Sequence, residues 1–235
     1  MLKRFLLALV LAALPCTVSA ESLTFNTEDW FPYNHDIGGK VAGTSTEILE
    51  KVAKAAGVKY QIVLGPWNRS YNTALNQPGN CVYSTTLTEE RKPLFQWIKP
   101  LESVKWVVYK VKGSPLTASS LEDLKGKTIG GYVGDAVANY MKSQGFKVDE
   151  APGDAANPKK LQAGRIDAWA TTDISGIQLS KDAGIEVEHV VDIRENILGV
   201  ACNKGIDGAV IAKLQKALDG LNASGEADKI RQSKF

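Results

Sequence analysis

Histidine and cysteine are scarce in this chain, two of the first and three of the second among 235 residues. His35 and His189 stand isolated, and with the cysteines they show no metal-ligand spacing, so neither a metal centre nor another cofactor is expected. An excess of one charge is also missing. The 28 Lys and Arg face 26 Asp and Glu, and setting aside Lys3 and Arg4 of the N-terminal segment leaves 26 against 26. Such a balanced surface argues against nucleic acid or an anionic membrane as partner. Beyond the N-terminus no run of eighteen apolar residues occurs, which excludes an internal membrane helix. The nucleophile elbow Gly-x-Ser-x-Gly is absent. The stretch Gly130-Gly131-Tyr132-Val133-Gly134-Asp135 misses the G-x-G-x-x-G spacing of a dinucleotide fingerprint.

The N-terminus does carry an apolar run. Lys3 and Arg4 precede Phe5 to Leu14, and Val18-Ser19-Ala20 supplies small residues for cleavage, so residues 1–20 read as a secretory signal. Pro15 before Cys16 is not the small residue that lipid modification needs, and no lipid anchor is expected. Without Cys16 an exported chain keeps Cys81 and Cys202, an even count that reads as one disulfide.

The rest alternates between strand and helix patterns. Leu23-Thr24-Phe25 and Val58 to Leu64 read as strands. Between them Thr44-Ser45-Thr46-Glu47 fits a capping box, Ile48, Leu49, Val52 and Ala56 share one helical face, and Gly57 ends the helix. Glu47–Lys51 and Glu50–Lys54 pairs are expected on its outer face. Val104 to Tyr109, Glu186 to Val191 and Leu198 to Asn203 read as further strands, and a helix from Asp207 presents Val210, Ile211, Leu214, Leu218 and Leu221. This alternation predicts an α/β fold with mostly parallel sheet.

The most informative stretch runs from Cys81 to Pro100. A short buried strand, Cys81-Val82-Tyr83, turns abruptly polar with Ser84, Thr85, Thr86 and Thr88, followed by Arg91. Hydroxyls, free amides and a guanidinium fork past a strand end suit a carboxylate. The same residues also suit a surface loop in which Arg91 pairs with Glu89, Glu90 or Asp36.

Small hydroxyls after a strand, Thr88-x-x-Arg91, then Phe95, Trp97 and Pro100 resemble the pattern of family 3 of the bacterial extracellular solute-binding proteins, the periplasmic receptors of polar-amino-acid uptake systems. Trp30 in the Asn26–Tyr33 loop, Trp67 in Gly65-Pro66-Trp67, the Ser119–Gly130 segment and Leu161 to Ala170 match further family segments. The resemblance implies a two-lobed type II periplasmic-binding fold. Residues 21–104 plus 199–235 form one lobe and 105–198 the other, with two crossover strands as hinge. In that topology the strand carrying Cys202 lies beside the strand carrying Cys81.

It further implies a non-enzymatic monomer that binds a small carboxylate-bearing ligand by hinge closure and hands it to the permease of an ABC transporter. Arg91, Ser84 and Thr86 would hold the carboxylate, and Trp30 and Trp67 would flank the ligand body, although Trp30 equally suits packing under the Pro loop. Arg69 either reads a second anionic group or pairs with an acidic neighbour. Asp135, with Ala136 behind it at an amide-rich helix start, either caps that helix or meets a ligand amine. The family's ammonium-binding Asp falls on Thr172, with Asp173 next to it. Either Asp173 takes over or the ligand has no ammonium. The acid of basic-amino-acid binders falls on Thr27, which weighs against lysine or arginine as ligand. The alternatives on the same fold are a cyclohexadienyl-type dehydratase, with Glu28, Asp135 or Asp173 handling the proton, and a receptor feeding a sensor.

Overall fold

Two strands of sixteen residues, Gln96–Val111 and Val187–Cys202, run antiparallel through the middle of the molecule and tie its two halves into one sheet. The computed structural model describes residues 22–233, so the expected signal segment, its cleavage position and Cys16 lie outside the described residues.

In chain order the elements are β1 (Leu23–Thr27), β2 (His35–Ile37), β3 (Lys40–Ala42), α1 (Thr44–Ala56), β4 (Tyr60–Leu64), α2 (Trp67–Asn76) and β5 (Asn80–Thr86). The long strand β6 (Gln96–Val111) follows, then β7 (Thr128–Tyr132), α3 (Ala136–Ser143), β8 (Lys147–Ala151), α4 (Asn157–Gln162), β9 (Ala168–Thr172) and α5 (Asp173–Asp182). The second long strand, β10 (Val187–Cys202), leads to α6 (Gly208–Ala223) and α7 (Glu226–Gln232). The sheet order is β4-β1-β5-β10-β6-β9-β7-β8. β1 runs parallel to β4 and β5, and β7 parallel to β8 and β9, while the two long strands pair antiparallel with their neighbours. Every residue of β9 and all of β5 past Asn80 are buried, as strands covered on both faces must be.

Each half has its own apolar core. One gathers Leu23, Phe25, Ile48, Leu49, Val52, Leu214 and Leu218 around the Cys81–Cys202 disulfide, which joins directly paired positions of β5 and β10. The other gathers Val104, Trp106, Ile129, Val137, Met141 and Ala168. Between them the β6–β10 ladder is wet: Ser103, Arg194, Glu195 and Ile197 are exposed, and the register shifts three times along β10. Bulges of this kind bend a strand without ending it. Among the described residues no helix is long and apolar enough to cross a membrane.

Three local expectations change. The strands expected at Glu186–Val191 and Leu198–Asn203 are one strand. Their polar link, Asp192-Ile193-Arg194-Glu195-Asn196, pairs with β6 at every residue but Ile193, where the register shifts. Val104–Tyr109 extends back to Gln96 through Pro100, tolerated because there β6 pairs with β10 alone and the register shifts. The capping box at α1 does not form. Gly43 is the N-cap, and Thr44 Oγ1 instead donates to the buried Glu102 carboxylate of β6 at 2.5 Å. Lys51 reaches Glu226 of α7 at 2.8 Å, tying α1 to the C-terminal helix.

Candidate functional site

The carboxyl ends of the parallel strands from both halves converge on a cavity of about 560 Å³. One wall is Glu28, Asp29, Trp30 and Phe31 after β1, with Gly65, Pro66 and Trp67 after β4. The opposite wall is Tyr132 at the end of β7, Pro152 to Ala155 after β8, and Ser175, Gln178, Leu179 and Asp182 on α5.

Hydrogen bonds cross between the walls. The Tyr132 hydroxyl donates to Glu28 Oε1 at 3.1 Å, and Ser175 Oγ donates to the Phe31 carbonyl at 2.9 Å. The Gly134 carbonyl accepts twice, from Trp67 Nε1 and from Arg91 Nη2, both at 2.9 Å. Its two lone pairs allow this. The two halves are therefore drawn together around the cavity.

Arg91 is buried, and its guanidinium carbon stands 5.2 Å from the ring centres of both Trp67 and Tyr71. Nη1 makes a long 3.5 Å contact to the Thr86 carbonyl. Among the described residues no carboxylate stands within ion-pair distance of it; Glu89 goes to Lys92, and Asp36 caps the Gly39 amide. Cation–π contact and carbonyl acceptors hold the fork in place of an acid.

Ser84 has φ 55°, a left-handed conformation that costs a residue with a side chain about 1 kcal/mol or more. Its hydroxyl donates to Asn34 Oδ1, and Asn34 Nδ2 donates on to the Glu28 carbonyl at 2.8 Å. The strained residue thus anchors the loop that presents Glu28.

The acids facing the gap disfavour one another's ionisation. Burial, with Asp135 and Asp154 beside it, pushes the Glu28 carboxyl up to about 8, although the Tyr132 hydrogen bond and Arg91 pull the other way. Burial and Asp154 push Asp135 up to about 7. Burial also raises Asp154, against three donors that favour its charge. Trp169 Nε1 and Asn157 Nδ2 reach its Oδ1, each at 2.8 Å, and Thr171 Oγ1 reaches its Oδ2 at 2.6 Å.

The sequence profile of the bacterial extracellular solute-binding proteins, family 3, matches residues 23–235. The chain belongs to that family. Among its relatives, "Probable histidine-binding protein" of Neisseria gonorrhoeae is 25% identical, covering 85% of this chain and 77% of the relative. "Arginine-binding extracellular protein ArtP" of Bacillus subtilis is 24% identical over 100% of this chain and 98% of its own. Among solved structures, an ancestral arginine-binding protein bound to arginine superposes with TM-score 0.78 at 26% identity, covering 92% of this chain and 98% of that one. A histidine kinase sensor domain with similarity to periplasmic binding proteins gives TM-score 0.84 at 21% identity over 91% and 96%, a likeness of fold.

In this solute-binding protein the residues singled out from the sequence fall into three groups. Trp30 and Trp67 line the cavity. Ser84, Thr86 and Arg91 lie buried outside the lining, their polar groups engaged with Asn34, Arg91 and Gly134. Arg69 stands exposed on α2, also outside the lining. On the other half Asp135 caps α3 by accepting from the Ala138 amide at 3.1 Å, with Ala136 buried behind it. Asp173 opens α5. Its Oδ1 and the neighbouring Thr172 Oγ1 are buried with no hydrogen-bond partner among the described residues.

Asp154 and Tyr132 were not singled out as binding residues, nor was the Gly134 carbonyl. The signal for Asp154 was there: Pro152-Gly153-Asp154 is a turn directly after a strand and before a helix, at the end of a sheet where ligands sit.

Proposed function

We propose that this chain captures a small amino-acid-type solute in the cleft between its halves and presents it to the permease of an ABC transporter. The lobes are 21–104 plus 199–235 and 105–198, the hinge is the wet β6–β10 ladder, and no bond is made or broken in the ligand. The observation that carries this reading is the set of hydrogen bonds from one wall to the other around the cavity, Glu28–Tyr132, Trp67–Gly134, Arg91–Gly134 and Phe31–Ser175. They are contacts that opening would break and closure would remake. The names of the histidine- and arginine-binding relatives support an amino-acid ligand.

When the lobes part, the Gly134 carbonyl leaves Arg91, and the freed fork takes the ligand carboxylate while Thr86 steadies the guanidinium. Trp30 and Trp67 cover the apolar part of the solute. The orphaned oxygens of Thr172 and Asp173 accept from its ammonium. The mature protein acts outside the cytoplasm, as the family does.

The test is calorimetric titration of refolded, ligand-stripped protein with the twenty amino acids. The reading expects binding of a small subset and its loss in Arg91→Ala. Binding that survives Arg91→Ala at full strength refutes the carboxylate assignment.

A further inference from the structure

Two of the hydrogen bonds that cross the cleft end on the same atom, the Gly134 carbonyl oxygen. Its donors differ in what a solute does to them. Arg91 Nη2 belongs to the fork that takes the carboxylate in the reading above, so a bound solute draws that donor away. Trp67 Nε1, also at 2.9 Å, keeps its place. The acceptor is held rigidly. Gly134 turns with φ +78°, a conformation that glycine adopts freely, between the end of β7 and the α3 cap. The next amide, Asp135, donates to the Tyr132 carbonyl at 3.2 Å. The donor is held as firmly. Trp67 is the first residue of α2, is 7% exposed, and has the Arg91 guanidinium on its ring at 5.2 Å and Tyr71 beside it at 5.7 Å. A Cβ placed on Gly134 would lie 3.5 Å from Trp67 Cδ1, so the halves meet here backbone against ring. Trp30, also on the cavity wall, packs on Tyr33 at 4.8 Å, and its indole nitrogen makes no hydrogen bond among the described residues. A buried indole N–H needs an acceptor. For Trp67 that acceptor lies on the opposite half, so the bond exists only while the cleft is shut.

We propose that Trp67 holds the cleft shut over a bound solute: its indole N–H keeps the Gly134 carbonyl, and with it the second half, once the solute's carboxylate has drawn Arg91 away. This rests on the solute-binding reading above and gives one of its wall residues a second role. The ring face covers the solute, and the ring edge sets how long closure lasts. Passing from two donors to one leaves the Gly134 oxygen satisfied, because a carbonyl can accept one bond or two. Closure therefore survives the loss of Arg91 as a donor. The step that depends on the Trp67 N–H is opening of the closed form, which governs release of the solute and not its capture.

The experiment measures association and dissociation rates of ligand-stripped wild type, Trp67→Phe, Trp30→Phe and Gly134→Ala by stopped-flow fluorescence, with arginine, histidine and glutamine as probes. Both Phe variants lose the same ring area, and only Trp67→Phe loses a bond across the cleft. Trp67→Phe is expected to raise the dissociation rate by about tenfold more than Trp30→Phe does, with association rates within about twofold of each other. Gly134→Ala strains the turn and displaces its carbonyl, so it should raise dissociation by about fivefold and add little in the Trp67→Phe background. Ligand-free melting confirms the folds, and if Trp67→Phe does not fold, the Gly134→Ala dissociation rate decides, an unchanged rate counting against the proposal. Equal dissociation rates in the two Phe variants, or a loss confined to association, overturn the proposal and leave the solute-binding reading on its other cross-cleft bonds. Should none of the three probes bind wild type, the failure lies with the solute-binding reading, and small-angle scattering of the ligand-free proteins decides the role of Trp67. A larger radius of gyration in Trp67→Phe than in wild type and Trp30→Phe supports it, and equal radii overturn it.

Discussion

Replacing Glu28 by Gln should stabilise the ligand-free protein in mildly alkaline solution and leave it unchanged in acid. The Glu28 carboxyl, whose ordinary value is 4.5, is pushed up to about 8 in the folded chain, chiefly by burial and then by Asp135 and Asp154. Below 4.5 both folded and unfolded chains hold the proton, and the native contribution is fully present. Between 4.5 and 8 the unfolded chain gives the proton up and the folded chain keeps it. Stability then falls as pH rises, by about 1.4 kcal/mol per pH unit for one proton. Integrated over that interval the loss reaches about 5 kcal/mol. Part of it is shared with Asp135, pushed up to about 7 by burial and Asp154, and solvent at the cavity rim screens some of the rest. A difference of about 2 kcal/mol between Glu28→Gln and its parent at pH 8.5 is therefore expected, shrinking to nothing measurable near pH 5. The lowered carboxyls, Glu90, Asp123, Glu186 and Asp192, finish titrating below this window and do not confuse it. Urea unfolding of both proteins at pH 5.0, 6.5 and 8.5, after stripping any bound solute, reads the effect. A parent whose stability is flat or rises between pH 5 and 8 refutes the electrostatic account of the cleft. So does a variant offset by the same amount at every pH.

Two further outcomes test the scaffold. The Cys81–Cys202 bridge closes 121 residues, for which loss of unfolded-chain entropy sets a value of about 5 kcal/mol. The Cys81→Ala/Cys202→Ala double variant should lose about 3–5 kcal/mol by urea unfolding, and an unchanged midpoint would show that the bridge constrains nothing the fold does not already fix. At Gly43, φ is +120° and an added Cβ falls 2.5 Å from the Tyr33 carbonyl oxygen and 2.6 Å from that of Pro32. Gly43→Ala should therefore cost about 3 kcal/mol or more, against about 1 kcal/mol at Gly39, where φ is +88° but the space is open. Equal costs at the two sites would mean the loop moves aside freely.

Local periodicity reported the outer elements well. The α1 face of Ile48, Leu49 and Val52 is buried as its spacing requires, Gly57 closes that helix with φ 66°, and Asp135 caps α3. Where it failed, the competing interaction was non-local. Thr44 had a capping partner in its own helix and took Glu102, 58 residues away, because a hydrogen bond to a buried charged acceptor is stronger than a cap at a helix start. The polar middle of β10 has the composition of a loop and the hydrogen bonding of a strand. Solvent on its faces permits the charges, while β6 supplies the backbone partners. No window of sequence shorter than the distance from β6 to β10 contains that information.

The cleft acids were hidden for a different reason. Glu28 follows β1, Asp135 follows β7, Asp154 follows β8 and Asp173 follows β9, so β1 and all three parallel strands of the second half end within three residues of a carboxylate. Read singly, an acid after a strand is a turn residue or a helix cap, and Asp135 does serve as one. The other two parallel strands of the first half, β4 and β5, end differently, in the Gly65-Pro66-Trp67 turn and in the Ser84–Arg91 loop, which supply aromatic surface and a guanidinium. Parallel pairing brings all these ends to one edge, and the two long strands then fold that edge onto itself. The negative field that adds to burial in raising Glu28 comes from Asp135 and Asp154 at two other strand ends, so it exists only after the topology does. If that is right, moving one acid away should lower the others: Asp154→Asn should bring the Glu28 carboxyl down from about 8 toward its ordinary value, measurable by carboxyl carbon chemical shifts during a pH titration. A Glu28 titration that ignores the loss of Asp154 would leave burial and Asp135 to account for the shift, and the coupling to Asp154 would have to be given up.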